Sequence, residues 1–149
     1  MSSVPGLRSP YAKVGRLVYF GRMLDKIRLH GAGKLPAEYV ANLGEARPNL
    51  FDARCCRFLR VTYKDVVERT MAGGTDNEIL EWAHKKGGTR SDDDCLIWNG
   101  HMTRLGWRDE TSQRLQQRVR EYRLEGRSIE TFFDMIDVDE GRSPGTALP

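Results

Sequence analysis

Residues 62–105 read TYKDVVERTMAGGTDNEILEWAHKKGGTRSDDDCLIWNGHMTRL, and this stretch decides the fold class. Thr62 with Asp65, Thr75 with Glu78 and Ser91 with Asp94 each have the spacing of a capping box. In that motif a hydroxyl accepts from a free amide at a helix start and a carboxylate reaches back. Gly73–Gly74 and Gly87–Gly88 follow the periodic segments that they would end, since glycine takes the left-handed conformation that closes a helix. The spacing therefore predicts short, firmly bounded helices over residues 63–72 and 76–86.

Outward from that stretch the apolar residues keep a helical period. At about 100° per residue Ile79, Trp82 and Ala83 share a face, as do Cys95, Trp98, Met102 and Leu105. Leu115 with Val119 and Tyr122, and Ile129 with Phe132, Phe133 and Ile136, form two further stripes. Upstream, Leu17, Phe20, Leu24 and Ile27 form one after Pro10, and Phe51, Cys55, Phe58 and Leu59 a shorter one. No alternating strand pattern stands out, and no heptad persists for three turns. The expectation is all-α: a compact irregular bundle of about seven short helices, with one long ordered loop over residues 31–50. That loop has three glycines and two prolines, with Leu35, Tyr39, Val40 and Leu43 to pack it on the body. Residues 1–142 read as a single helical domain and residues 143–149 as a disordered tail.

The chain has 149 residues, 39% hydrophobic and 30% charged, with a formal net charge of +3. Residues 1–60 hold 11 Lys/Arg against 4 Asp/Glu, so the surplus of positive charge lies in the N-terminal part. These basic residues are scattered singly rather than gathered into a stripe with aromatics, which argues against a nucleic-acid reader. No apolar run approaches the roughly 20 residues of a membrane span, and residues 1–5 carry neither a basic start nor an apolar core. Three cysteines, two of them adjacent, need no disulfide and suit a reducing cytoplasm. Cys55 sits on an apolar stripe as a small core residue, whereas Cys56 points elsewhere on the same helix and is expected to be more exposed.

Motifs for phosphate or metal binding fail on spacing. Gly31-Ala32-Gly33-Lys34 lacks the four-residue spacer of a phosphate loop and has Leu35 where a hydroxyl belongs. His30, His84 and His101 are isolated, and Asp134, Asp137, Asp139 and Glu140 miss the calcium-loop spacing. No metal and no cofactor are expected.

Polar residues on apolar faces are more informative. With Leu17 as origin, Arg28 falls at about 20°, beside Leu24 at about 340° on the apolar stripe, where a buried guanidinium has to be paired. Asp25 and Asp52 are its available partners, and Asn99 shares the face of Trp98 and Met102. The sequence predicts Arg28 to be substantially buried, bonded to Asp25, Asp52 or the 31–50 loop, and near Asn99. Trp107-Arg108-Asp109-Glu110 reads first as a helix start with Asp109 as N-cap, and second as a ligand clamp.

These residues, taken together, resemble a bacterial family of domains of unknown function, the one numbered 5069. The matching runs include residues 23–30 (MLDKIRLH), 33–36 (GKLP), 42–44 (NLG), 51–58 (FDARCCRF), 73–76 (GGTD), 98–100 (WNG), 106–110 (GWRDE) and 136–142 (IDVDEGR). The resemblance covers about residues 7–142 and implies a small, soluble, cytoplasmic helical protein with no established activity. The family pattern often has a histidine after the tyrosine of the long loop, and Val40 stands there in this chain, against any mechanism that needs an imidazole at that position.

The candidate ligand-binding residues are Asp25, Arg28, Asn42, Asp52, Arg54, Trp98, Asn99 and Arg108. One reading is a module that binds a small anionic ligand or a protein partner. The other is a small enzyme with Asp25 or Asp52 as general base and Arg28 and Arg54 holding an anionic substrate. A carboxylate facing free space in a cavity favours the enzyme; carboxylates consumed by arginines and loop amides favour the module. A purely structural use of the same residues, knitting the long loop to the helices, stands beside both.

Overall fold

The computed structural model describes residues 3–144. A short antiparallel hairpin, β1 (Lys13–Val14) and β2 (Leu17–Val18), pairs Lys13 with Val18 and Val14 with Leu17. Eight helices follow among the described residues: α1 (Phe20–Gly31), α2 (Ala37–Val40), α3 (Phe51–Leu59), α4 (Tyr63–Met71), α5 (Asp76–Gly87), α6 (Asp92–Arg104), α7 (Ser112–Glu121) and α8 (Phe132–Asp139). None of them is long and apolar enough to cross a membrane. The protein is mostly helical, as the sequence leads one to expect, with one two-stranded hairpin added to the helices.

The capping signals act where the sequence puts them. Thr75 and Ser91 form complete capping boxes with Glu78 and Asp94. Thr62 Oγ1 accepts from the Asp65 amide, but the Asp65 carboxylate faces Lys86 at 3.3 Å instead of reaching back. Each N-cap contributes about 1 kcal/mol. Asp109 closes the turn before α7 by accepting from the Gly106 and Thr111 amides, and Thr111 occupies the N-cap position itself.

Leu17, expected on a helical stripe, lies instead in β2. Two side chains of α6 serve as the third strand that β2 lacks. Asn99 accepts from the Val18 amide at 3.0 Å and donates to the Arg16 carbonyl, while the Trp98 indole donates to the Val18 carbonyl at 3.1 Å. These bonds satisfy backbone groups of so short a hairpin. Trp98 also stacks on Phe58.

Helix α1 runs through the middle of the molecule, and every residue from Phe20 to Ile27 is buried. It packs on α4, and α6 packs on β2 and α8. The larger apolar core gathers α1, α3, α5 and α6 around Phe20, Leu24, Leu59, Ile79, Met102 and Phe133. Burial of one such side chain is worth roughly 1.5–3 kcal/mol. Cys56 belongs to this core and is fully buried, contrary to the expected exposure, because α4 and the 31–50 loop cover that side of α3. A smaller core joins Leu105, Leu115, Val119, Leu124, Phe132, Met135 and Val138. Phe51 packs against both. Where α5 meets the end of α3, a Cβ on Gly87 would lie 1.9 Å from the Leu59 carbonyl oxygen, so only glycine fits.

The 31–50 segment holds the one-turn helix α2 and is tied down at both ends of that turn, as described below. Of the expected tail, residues 145–149 lie outside the described residues.

Candidate functional site: a cavity between two cores

A cavity of about 590 Å³ opens along the seam between the two cores. That volume lies in the range of small-molecule sites. Its apolar lining comes from Leu50 and Phe51 at the start of α3, Leu105, and Phe132, Met135 and Ile136 of α8. The 31–50 loop contributes Glu38, Tyr39, Asn42, Arg47 and Asn49, and α7 contributes Arg114 and Arg118.

On one side of the cavity, two guanidinium groups share one neutral residue. Arg54 Nε donates to the Asn49 backbone carbonyl at 3.2 Å. With the Asn49 side-chain oxygen turned toward it, the same residue accepts from Arg114 Nη1 at 3.0 Å and Nη2 at 3.3 Å. Neither arginine forms an ion pair with a carboxylate among the described residues. Partial burial together with Arg57 and Arg114 lowers the Arg54 pKa from its ordinary value, the mark of a cation set among cations. A planar fork of this kind matches carboxylate and phosphate oxygens.

The floor is a buried polar chain. Lys26 Nζ lies 2.7 Å from Asp52 Oδ1 and donates to the Tyr19 hydroxyl at 2.8 Å, and that hydroxyl donates to Asp52 Oδ1 at 2.6 Å. Asp52 Oδ2 accepts from the Gly44 amide at 2.9 Å. Gly44 has φ 76° and its missing Cβ would press on the Tyr63 ring at 3.1 Å, so this loop amide reaches Asp52 through a glycine. Burial pushes the Lys26 pKa down, against the pull of Asp52, and pushes the Tyr19 phenol well up, with Asp52 adding to it. Tyr19 also has φ 73°, a conformation that costs a bulky residue on the order of 1–3 kcal/mol.

Beside this chain, Arg22 forks onto Glu140 at 2.9 and 2.6 Å, and Tyr39 of the loop donates to Glu140 Oε2 at 2.9 Å. Burial alone would raise the Glu140 pKa, but the bonds from Arg22, Arg142 and Tyr39 outweigh it and hold the carboxyl below its usual range.

Asn42 and Arg54 of the sequence candidates line the cavity, and Asp52 lies directly beneath it, held by Tyr19 and Lys26. The other five stand elsewhere. Asp25 accepts two bonds from the Arg8 side chain and one from its amide. Arg28 is not substantially buried: its side chain is 36% exposed, its closest partner is Asp76 at 2.8 Å, and Asp25 is 3.7 Å away. The C-terminal end of α1 emerges from the protein there, which frees Arg28 from the apolar stripe. Trp98 and Asn99 clasp the hairpin, and Arg108 lies over the Trp107 ring at the surface. Sequence reading passed over Tyr19, Arg22, Lys26, Tyr39, Arg114 and Glu140. The closing run of residues 136–142 contained Glu140, but no local pattern pairs it with Arg22, 118 positions away.

The model of a family described as a domain of unknown function, DUF5069, matches residues 4–142. The chain belongs to the DUF5069 family. No curated protein matches it. The match takes in the whole cavity of this DUF5069 domain, from Tyr19 to Glu140.

Proposed function

We propose that this DUF5069 domain binds a small organic anion with an apolar or aromatic body in the cavity between its two cores. The observation that carries this reading is the pair Arg54 and Arg114, brought together on Asn49 without a carboxylate of their own among the described residues, in a cavity also lined by Leu105, Phe51 and Phe132. An incoming carboxylate or phosphate would neutralise a local surplus of positive charge while its body covers apolar surface. Neither carboxylate named as a general base faces free space in the cavity, which supports binding over proton abstraction from a ligand by an aspartate acting directly on it: Asp25 is taken up by Arg8, and Asp52 lies beneath the lining, against Tyr19, Lys26 and the Gly44 amide. A cytoplasmic setting goes with this reading, because Cys55, Cys56 and Cys95 are free and buried.

Thermal denaturation with benzoate, phenyl phosphate and benzylamine tests it. The two anions should raise Tm, approaching about 2.7 kcal/mol of added stability at 100 times Kd, and benzylamine should not. The Arg54→Gln/Arg114→Gln protein should lose the response. Equal shifts for anion and amine, or an unchanged response in the double variant, would overturn the assignment.

A further inference from the structure

Among the described residues Lys26 is the one lysine that lines the cavity, and its amine already sits between an acid and a base, Tyr19 and Asp52. We propose that Lys26 forms an iminium with the carbonyl group of an aldehyde or ketone whose anionic end is held by Arg54 and Arg114. This rests on the anion site argued above and adds the reactive group of the ligand.

Six features of the same place support it. The Lys26 side chain is 5% exposed, so almost all of it is withdrawn from water, yet it borders a cavity with room for a substrate. Its proton acceptor is in place: Asp52 Oδ1 lies 2.7 Å from Nζ. A hydroxyl able to hand a proton to a carbonyl oxygen, that of Tyr19, lies 2.8 Å from the same nitrogen. The remaining donor direction of Nζ meets only the Asn42 carbonyl at 3.5 Å, the limit of a hydrogen bond, and Asn42 itself lines the cavity. Burial that lowers the lysine pKa enlarges the fraction of free amine, as in other lysines that attack carbonyl groups. The backbone strain at Tyr19 falls on the residue whose hydroxyl would serve the step.

The balance is simple. The ammonium passes one proton to Asp52, and the nitrogen lone pair forms a C–N bond as the carbonyl π bond breaks. The oxygen takes a proton from Tyr19, which regains one from the protonated Asp52. The carbinolamine then loses water, with the second N–H proton leaving on that water. Ammonium plus carbonyl gives iminium plus water, with no net change of charge, and the iminium keeps the positive charge opposite Asp52.

The whole protein is incubated with phenylpyruvate or para-carboxybenzaldehyde and cyanoborohydride, which reduces an iminium to a stable secondary amine, and the modified peptide is mapped by mass spectrometry. Lys26 should carry the adduct, about tenfold or more ahead of the exposed Lys13, Lys34 and Lys64, because a held carbonyl has a raised effective concentration. Tyr19→Phe, which keeps the packed ring, should slow trapping at Lys26 by about 10²-fold with the fold intact by its melting curve. Adducts on exposed lysines with Lys26 unmodified would overturn the iminium. If the same probes still raise Tm through Arg54 and Arg114, the anion site stands without it. If benzaldehyde, which lacks the anion, labels Lys26 as fast as its carboxylated form, the iminium stands and the arginine clamp falls.

Discussion

Lys26 Nζ and Asp52 Oδ1 lie 2.7 Å apart, with the lysine side chain 5% exposed and the aspartate 0%. Two opposite charges share a place from which water is excluded, and each is tolerable only because the other is there. Removal of one partner should therefore cost more than removal of both. Lys26→Met should lower stability by about 3–5 kcal/mol, and the double change Lys26→Met/Asp52→Asn should recover part of that loss. Urea denaturation of the two single variants and the double variant measures it; additive losses would show that the two groups are not coupled.

The arginine pair leads to the opposite sign. Arg54 and Arg114 stand together without a carboxylate, so the unliganded protein bears a small repulsion there. Arg114→Gln should raise the stability of the ligand-free protein by a few tenths of a kcal/mol at low salt, a figure already reduced for solvent screening, and the gain should fade as salt is added. A loss of stability at low salt would mean that Arg114 is held by contacts that favour its charge.

Glu140 gives a pH signature. Its folded pKa lies below the ordinary glutamate value of 4.5, so the folded state favours the charged form. That contribution is present in full above about pH 4.5 and is lost as pH falls through the depressed folded value. Glu140→Gln should therefore be less stable than the parent at neutral pH, and the gap should narrow below pH 4.5. The neighbouring Asp137, whose pKa is raised chiefly by burial with a smaller push from Glu140 itself, acts in the opposite direction, and only the burial part of its effect is common to both proteins. A gap that widens on acidification would contradict the assignment.

Gly87 tests the packing of α5 on α3. A methyl group there would meet the Leu59 carbonyl oxygen at 1.9 Å, and backbone cannot give way as a side chain does. Gly87→Ala should cost about 3 kcal/mol or more in a thermal or urea melt. A variant that melts like the parent would show that the two helix ends are not in the contact described.

The helix starts were legible because a cap is local: Thr75 with Glu78 and Ser91 with Asp94 are three residues apart, and nothing distant has to agree. The hairpin was not legible. Strands of two residues have no period, and the partners of Val18 are Asn99 and Trp98, some 80 positions away. The site was missed in large part because helical phase assumes one wet face. From Leu17 as origin, Lys26 falls at about 180°, the side that ought to face solvent. In α1 that side is also buried, under the 31–50 loop and the Tyr19–Asp52 pair, so the cation that phase sends outward is the one enclosed, and Arg28, sent inward, is the one partly in solvent. Arg114 shows the same limit, since its place beside Arg54 depends on how α7 sits against α3 and not on its neighbours in sequence.

The most direct test of the anion site is a crystal structure of the complex with phenyl phosphate. The account predicts the phosphate within hydrogen-bond reach of the guanidinium groups of Arg54 and Arg114, with the ring against Phe51, Leu105 and Phe132. A phosphate bound elsewhere, or a ring in solvent with the cavity unchanged at saturating ligand, would contradict it.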